Sequence, residues 1–331
     1  MQTIHRSLSI ATDLRPDYYE YFPNFEDIDL WHRLKFLPLH SVAMMKVSHF
    51  SRLALQFDRA DEIKRLFSRP MIEQRALLIE VLKRVGISTR TLLGISKVDR
   101  EHFCSTEMHK LAYCNESMHF DFLSCVSPPG LIALMIDRLN IEKGQRFLEI
   151  GIGSGYHAAC IYESLERECD IIGIEFNPHY CLFGRQVLER LGYSTIHIHE
   201  GDALGELSFN NLFDRIYITA SFFDGYPVSL CKHLREGGII QYARALSEKE
   251  FSSESMDSWL KRTYVDYTHY TNGNWRQFCC LATAVKHGDI MTEVDCLYDV
   301  TFTPLHNEIS SYVPYAPSHF DHLLALISSD A

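Results

Sequence analysis

Three acidic residues and three alternate glycines, set at the ends of short apolar runs, have the types and spacing in this chain to hold a ligand. The stretch from Phe147 to Ala159 reads F-L-E-I-G-I-G-S-G-Y-H-A-A. Its apolar start predicts a strand, Gly151, Gly153 and Gly155 a tight turn, and the small residues after Tyr156 a helix start. Such a turn lets backbone N–H groups approach a ligand closely. Glu149 lies on the strand just before the turn. Glu175 ends the next apolar strand, where an acid is placed to accept hydrogen bonds from ribose hydroxyls. Phe176 follows it. Asp202 and Ala203 follow the alternation Ile196-His197-Ile198-His199, and Asp202 is placed to accept from an adenine amino group. Thr219 ends a further apolar strand.

The charge beside the turn separates two nucleoside ligands. A dinucleotide site uses G-x-G-x-x-G around a pyrophosphate. Here the spacing is G-x-G-x-G, with Tyr156 where the last glycine should be. Glu149 would repel a pyrophosphate and attract an ammonium. The pattern therefore favours S-adenosylmethionine, which carries a sulfonium and an ammonium, over NAD. The plainer alternative is an ordinary turn with tolerated glycines and solvated acids. Three elements in the right order weigh against it.

The elements that must position these residues form an α/β alternation from Gly144 onward. Strands are expected at Arg146–Ile150, Asp170–Glu175, Thr195–His199, Arg215–Thr219 and Ile239–Tyr242. Helices are expected at Tyr156–Glu166, Pro178–Leu191 and Tyr226–Leu234, the last closed by Gly237-Gly238. This rhythm implies a parallel sheet with helices on both faces, and ligands at the carboxyl ends of its strands. Glu149, Glu175, Asp202 and Thr219 all fall there. Upstream, helices are expected over Glu73–Val85, from a cap at Ser88, and from Ser127-Pro128-Pro129 through Leu139, with an irregular join over Phe103–Asn115. Downstream come a polar insertion, Ser247–Asp257, strands Phe278–Lys286 and Thr292–Pro304, and a helix His319–Ile327. The expected fold class is α/β, a Rossmann-like sheet with helices on both faces plus an N-terminal helical extension. Its divisions are a helical extension or lid over 1–72, a helical region over 73–143, and a ligand-binding domain with C-terminal strands over 144–331.

Composition narrows the class further. With 46% hydrophobic and 23% charged residues, the chain has an ordinary globular balance. A net charge of −11 argues against a non-specific nucleic-acid binder, which needs a basic face. No apolar run is long enough to span a bilayer, and the first residues contain no secretory core. Ten cysteines without C-x-x-C read as reduced thiols of a cytoplasmic protein. Seventeen histidines form no zinc spacing, and no metal site is expected. His197 and His199 share one strand face, more simply as an ordinary outer face than as ligands.

From about Leu77 to Leu305 the chain resembles the protein-L-isoaspartate (D-aspartate) O-methyltransferases, class I enzymes dependent on S-adenosylmethionine. Leu148-Glu-Ile-Gly-Ile-Gly-Ser-Gly-Tyr-His is close to that family's glycine motif, with His157 where glutamine is common. Phe213-Asp-Arg-Ile-Tyr-Ile-Thr-Ala-Ser resembles its F-D-R-I-x-x-T-A segment. Lys97-Val-Asp-Arg-Glu-His-Phe, Ser127-Pro-Pro-Gly-Leu-Ile-Ala-Leu-Met and Val300-Thr-Phe-Thr-Pro-Leu resemble further segments, in the family's order. The resemblance implies an active-site role for Ser127. It implies cofactor contacts for Glu149, Gly151, Gly153, Gly155, Glu175, Asp202 and Ala203, and by a weaker alignment for Gln277. Tyr156, Phe176 and Thr219 complete the expected cofactor set. Ser127 has a second reading, since serine before proline is a common helix N-cap. The segment before it departs from the family. His119-Phe-Asp-Phe-Leu-Ser-Cys-Val-Ser lacks the family's glycines, and Cys125 replaces a threonine.

The expected chemistry is methyl transfer to a carboxylate, from a peptide aspartyl or isoaspartyl residue or a small acid. A carboxylate with an ordinary pKa near ~4 needs no general base, only alignment and one positioning hydroxyl. An amine acceptor would need a base, for which His157, His119 and Asp121 are candidates. Phe120, Phe122 and Tyr156 could face a sulfonium, or belong to the core. Two other functions stay open: an enzyme that cyclises S-adenosylmethionine and releases methylthioadenosine, and a non-catalytic binding module. The N-terminal helices could form a lid or pair two copies into a homodimer.

Overall fold

The computed structural model describes residues 69–84, 86–113, 118–121, 124–203, 205, 207–222, 228–245 and 279–300. The expectations for Gln277, Phe122, the N-terminal extension before residue 69, the insertion Ser247–Asp257 and the tail helix His319–Ile327 lie outside these residues.

Two helices lead in: α1, Met71–Arg84, and α2, Thr89–Lys97. Ser88 caps α2 as its sequence predicts, accepting from the Thr91 N–H. A 3-10 turn, Arg100–Phe103, leads into the expected irregular join, and a second, Thr106–Leu111, lies within it. A two-stranded antiparallel hairpin follows, β1 (Met118–Asp121) with β2 (Ser124–Val126). Helix α3, Pro129–Arg138, opens with proline in its first turn, where a missing N–H costs nothing.

The alternation then runs β3 (Arg146–Ile150), α4 (Tyr156–Ser164), β4 (Asp170–Glu175), α5 (Pro178–Arg190), β5 (His197–Glu200), β6 (Phe213–Phe222), α6 (Val228–Cys231), β7 (Leu234–Ala245), β8 (Cys279–His287) and β9 (Ile290–Val300). Helix α5 starts where Asn177 accepts from the His179 N–H, with Pro178 next to the cap. The seven strands form one sheet in the order β5-β4-β3-β6-β7-β8-β9. The first five are parallel, and β8 and β9 are antiparallel additions.

Parallel strands buried on both faces need near-continuous apolar runs. Phe147, Ile171 and Tyr217 pack on one face, with the core under α1 to α5. Leu148, Ile150, Ile216, Ile218 and Ile240 fill the other. Chain order reverses between β3 and β6, so the glycine turn after β3 stands at the switch point where such sheets bind ligands.

One expectation is corrected here. The apolar run Tyr226–Leu234 does not make a helix ending at Gly237-Gly238. Among the described residues helix α6 runs Val228–Cys231 and ends there, and Leu234 already pairs with Phe213. The two glycines lie inside β7, where the register slips between Leu234 and Ile239 and Gly237 takes φ +69°. Glycine there supplies a strand irregularity.

Candidate active site

A cavity of about 400 Å³ opens at the carboxyl ends of β3, β4, β5 and β6. It is bounded by the glycine turn, the start of α4, and the hairpin strand β2 with Ser127. The backbone explains why the turn can stand so close. Gly151, Gly153 and Gly155 have φ of +79°, +52° and +84°, a region that side chains with a Cβ rarely enter. The turn is tied down from both neighbouring strands, β4 and β6. Gly151 N donates to Ile174 O at 2.8 Å, and Gly153 N to Glu175 Oε2 at 3.0 Å. From β6, the Thr219 hydroxyl lies 2.6 Å from Gly151 O and 2.9 Å from Ile150 O. Thr219 therefore braces the loop.

Glu149 is 1% exposed, and its Oε2 accepts from the Tyr217 hydroxyl at 2.8 Å. Burial pushes its carboxyl well above the usual carboxylate range. The Tyr217 and Ala158 donors oppose that rise, and the neighbouring Glu175 adds to it. Glu175 is buried too, and burial also raises its pKa, against the N–H groups of Asn177, Gly153 and Phe176. Its two oxygens are oriented separately, Oε1 by Asn177 N and Oε2 by Gly153 N, both at 3.0 Å. Each keeps capacity for a further donor.

The structure brings together nearly all the sequence-predicted residues. Ser127, Glu149, Gly151, Gly153, Tyr156, Glu175, Phe176, Asp202, Ala203 and Thr219 all line the cavity. Gly155 lies behind it at the N-cap of α4, where a Cβ would meet Leu188 at 2.9 Å. Phe176 is 43% exposed at the rim, and Asp202 is also exposed. Ser127 is half-buried and does not cap α3. The N-cap is Pro128, and the Ser127 hydroxyl makes no hydrogen bond among the described residues.

Two readings left open by the sequence concern the aromatic rings and the candidate bases. The Tyr156 ring is 1% exposed and packs edge-on to Phe103, and the cation over it is Arg100, 4.8 Å from its centroid. Phe120 stacks on Phe183 and meets Tyr180 edge-on, anchoring the hairpin to α5. Both rings serve the core around the site. His157 lines the cavity, but burial lowers its pKa to about 3. It stays uncharged at neutral pH and is a weak base. The side chains of His119 and Asp121 lie outside the described residues.

Sequence reasoning missed Tyr217, Ile132, Asn177 and Tyr180. Tyr217 could have been found by aligning the ends of β3 and β6, which puts it beside Glu149. Among the described residues that line the cavity, none is lysine or arginine, while Glu149, Glu175 and Asp202 are acids. Such an acceptor set fits a cationic nucleoside with hydroxyl and ammonium donors and does not fit a pyrophosphate. The volume falls in the range of small-molecule sites, about 300–1,000 Å³. Cys104, Cys160, Cys169, Cys181 and Cys280 are free thiols. The described residues contain no cluster of metal-ligating side chains, and no helix among them is long and apolar enough to cross a membrane.

Comparison with known proteins agrees with this geometry. A sequence model of the protein-L-isoaspartate(D-aspartate) O-methyltransferases matches residues 73–244, just over half of the chain. The protein-L-isoaspartate O-methyltransferase of Methanococcus maripaludis is 30% identical over 172 residues, covering 52% of this chain and 81% of that one. The enzyme of Dictyoglomus turgidum is 35% identical over 169 residues, covering 50% and 74%. Among solved structures, a protein-L-isoaspartate O-methyltransferase aligns with TM-score 0.56 and 21% identity over 71% of this chain and 68% of its own. A putative Plasmodium falciparum enzyme in complex with S-adenosyl-L-homocysteine aligns with TM-score 0.52 and 21% identity, over 70% and 97%. These two structural likenesses speak to the fold.

Proposed function

The chain belongs to the protein-L-isoaspartate(D-aspartate) O-methyltransferase family, and on that premise we propose that it methylates the free carboxylate of aspartyl or isoaspartyl residues in peptides or proteins. It is an S-adenosylmethionine-dependent methyltransferase of class I fold. The observation that carries the acceptor reading is Ser127 in the cavity lining, whose hydroxyl makes no hydrogen bond among the described residues. The relatives' names point to isoaspartyl acceptors.

Bound S-adenosylmethionine would supply a methyl group already activated on a sulfonium. The residues of the chain do the rest by placement. Glu149 accepts from the amino-acid ammonium, Glu175 from ribose hydroxyls and Asp202 from the adenine amino group. The glycine turn keeps side chains out of that space. Ser127 donates to one oxygen of the acceptor carboxylate and leaves the other free to attack. An acceptor carboxylate is ionised at neutral pH, so no base is required. His157 is not suited to serve an amine acceptor, because burial holds its pKa near 3.

The test is a pair of peptides identical except for one aspartyl or isoaspartyl linkage. Methyl ester is expected on the isoaspartyl peptide with an equal yield of S-adenosylhomocysteine. Ester on neither peptide refutes the proposed acceptor. Ser127→Ala is expected to lower kcat for the accepted peptide roughly tenfold to a hundredfold, the range for losing one hydrogen bond to a charged group. Its affinity for S-adenosylhomocysteine should not change. A matching loss of nucleoside affinity would place Ser127 on the cofactor instead.

A further inference from the structure

Tyr217 has no part in the functions assigned above, yet it holds the acid that they depend on. It stands on β6 at the register position of Glu149 and is fully buried. Its hydroxyl donates to Glu149 Oε2 at 2.8 Å. The Ala158 N–H in the first turn of α4 also favours the ionised form of this carboxylate. A buried carboxyl with no donor would take up a proton and turn freely. Two donors from different elements fix its orientation and favour its ionised form.

The other titratable groups around it give no such help. From α4, His157 lies with its ring 4.7 Å from that of Tyr217 and stays uncharged. The Cys160 thiol on the same helix is pushed up to about 12 and stays protonated. From β4, Glu175 opposes ionisation of Glu149. Tyr217 itself remains a donor, since burial and Glu149 raise its pKa well above the ordinary value.

We propose that Tyr217 is a positioning residue for the cofactor: its hydroxyl orients Glu149 and favours its ionised form, and so sets the affinity of the cavity for the amino-acid ammonium of the ligand. This rests on the reading of Glu149 as the ammonium acceptor. Methylthioadenosine, which lacks the amino-acid arm, should not sense Tyr217. S-adenosylhomocysteine, which has it, should.

The experiment is calorimetry of both nucleosides with the full chain, from acid to alkaline pH, for the wild type, Tyr217→Phe, Glu149→Gln and the double variant. Tyr217→Phe is expected to weaken S-adenosylhomocysteine roughly tenfold at neutral pH and to move the rise of affinity to higher pH. Methylthioadenosine affinity should stay the same. In the Glu149→Gln background, adding Tyr217→Phe should change S-adenosylhomocysteine affinity less than about twofold, since the charged acceptor that Tyr217 supports is then gone. Equal weakening of both nucleosides overturns the proposal, as do S-adenosylhomocysteine affinities that match the wild type at every pH. If Tyr217→Phe alone does not fold, the double variant decides. A further large loss of S-adenosylhomocysteine affinity relative to Glu149→Gln contradicts the proposal, and no further loss supports it. A wild-type protein that binds neither nucleoside defeats the reading of Glu149 itself, which is a separate result.

Discussion

Glu149→Gln is expected to weaken S-adenosylhomocysteine binding by roughly a hundredfold near neutral pH and, in the same protein without ligand, to raise the melting temperature. The first effect follows from losing a charged acceptor where a ligand ammonium sits, since hydrogen bonds to charged groups contribute about 1.5–3 kcal/mol. The second follows from linkage. The folded protein holds the Glu149 proton to higher pH than the unfolded chain does, because burial raises its pKa. Between the unfolded pKa and the higher folded one, the native state binds more protons. Stability without ligand therefore falls as pH rises through that window. Glutamine has no such cost and keeps the volume. Ligand affinity runs the other way: a bound ammonium favours the ionised acid, so affinity should climb with pH and level off once the free carboxyl is ionised. Thermal melting and calorimetry over the same pH series check both signs. A variant that binds as well as the wild type, or melts lower without ligand at every pH, contradicts the assignment.

Gly184→Ala is expected to destabilise the protein by about 1–3 kcal/mol and to weaken S-adenosylhomocysteine at least roughly tenfold. On an exposed helix the same change would stabilise by about 1 kcal/mol, because alanine is the better helix former. Here α5 crosses directly behind the glycine turn. A Cβ on Gly184 would run into the carbonyl oxygen of Gly153 and stand 2.8 Å from Ile198 Cδ1. A backbone oxygen cannot swing aside as a side-chain tip can, so either α5 lifts or the turn shifts. Overpacking of this kind costs typically about 1–3 kcal/mol. A shifted turn also disturbs the Gly153 N–H bond that orients Glu175. Denaturant titration and calorimetry measure the two effects. A more stable variant with unchanged affinity would mean that helix propensity prevails and that the turn is not held from behind.

How much was legible beforehand depends on how local the signal is. The turn from Gly151 to Gly155, the acids before it and at the end of β4, and Asp202 are each read from a few consecutive residues, and all except Gly155 meet at one cavity. The βαβ order followed from apolar runs and their punctuation. What stayed hidden is set by contacts across the chain. The bond from Tyr217 to Glu149 spans 68 residues and depends on the register of β3 against β6. Whether Ser127 caps a helix or faces a cavity depends on where α3 begins, which Pro128 and Pro129 blur. The run before Leu234 was misread as a long helix, because Gly237-Gly238 looks like a helix stop and serves instead as a strand irregularity. The lost base in His157 is a burial effect, and burial is a property of the whole fold.

The most direct measurement is a crystal structure of the full chain with S-adenosylhomocysteine. The expected result is one nucleoside in the cavity at the strand ends, its amino-acid ammonium on Glu149, its ribose on Glu175, its adenine beside Asp202, and open space in front of Ser127. A ligand bound elsewhere, or seated there with its amino-acid arm turned away from Glu149, contradicts the account.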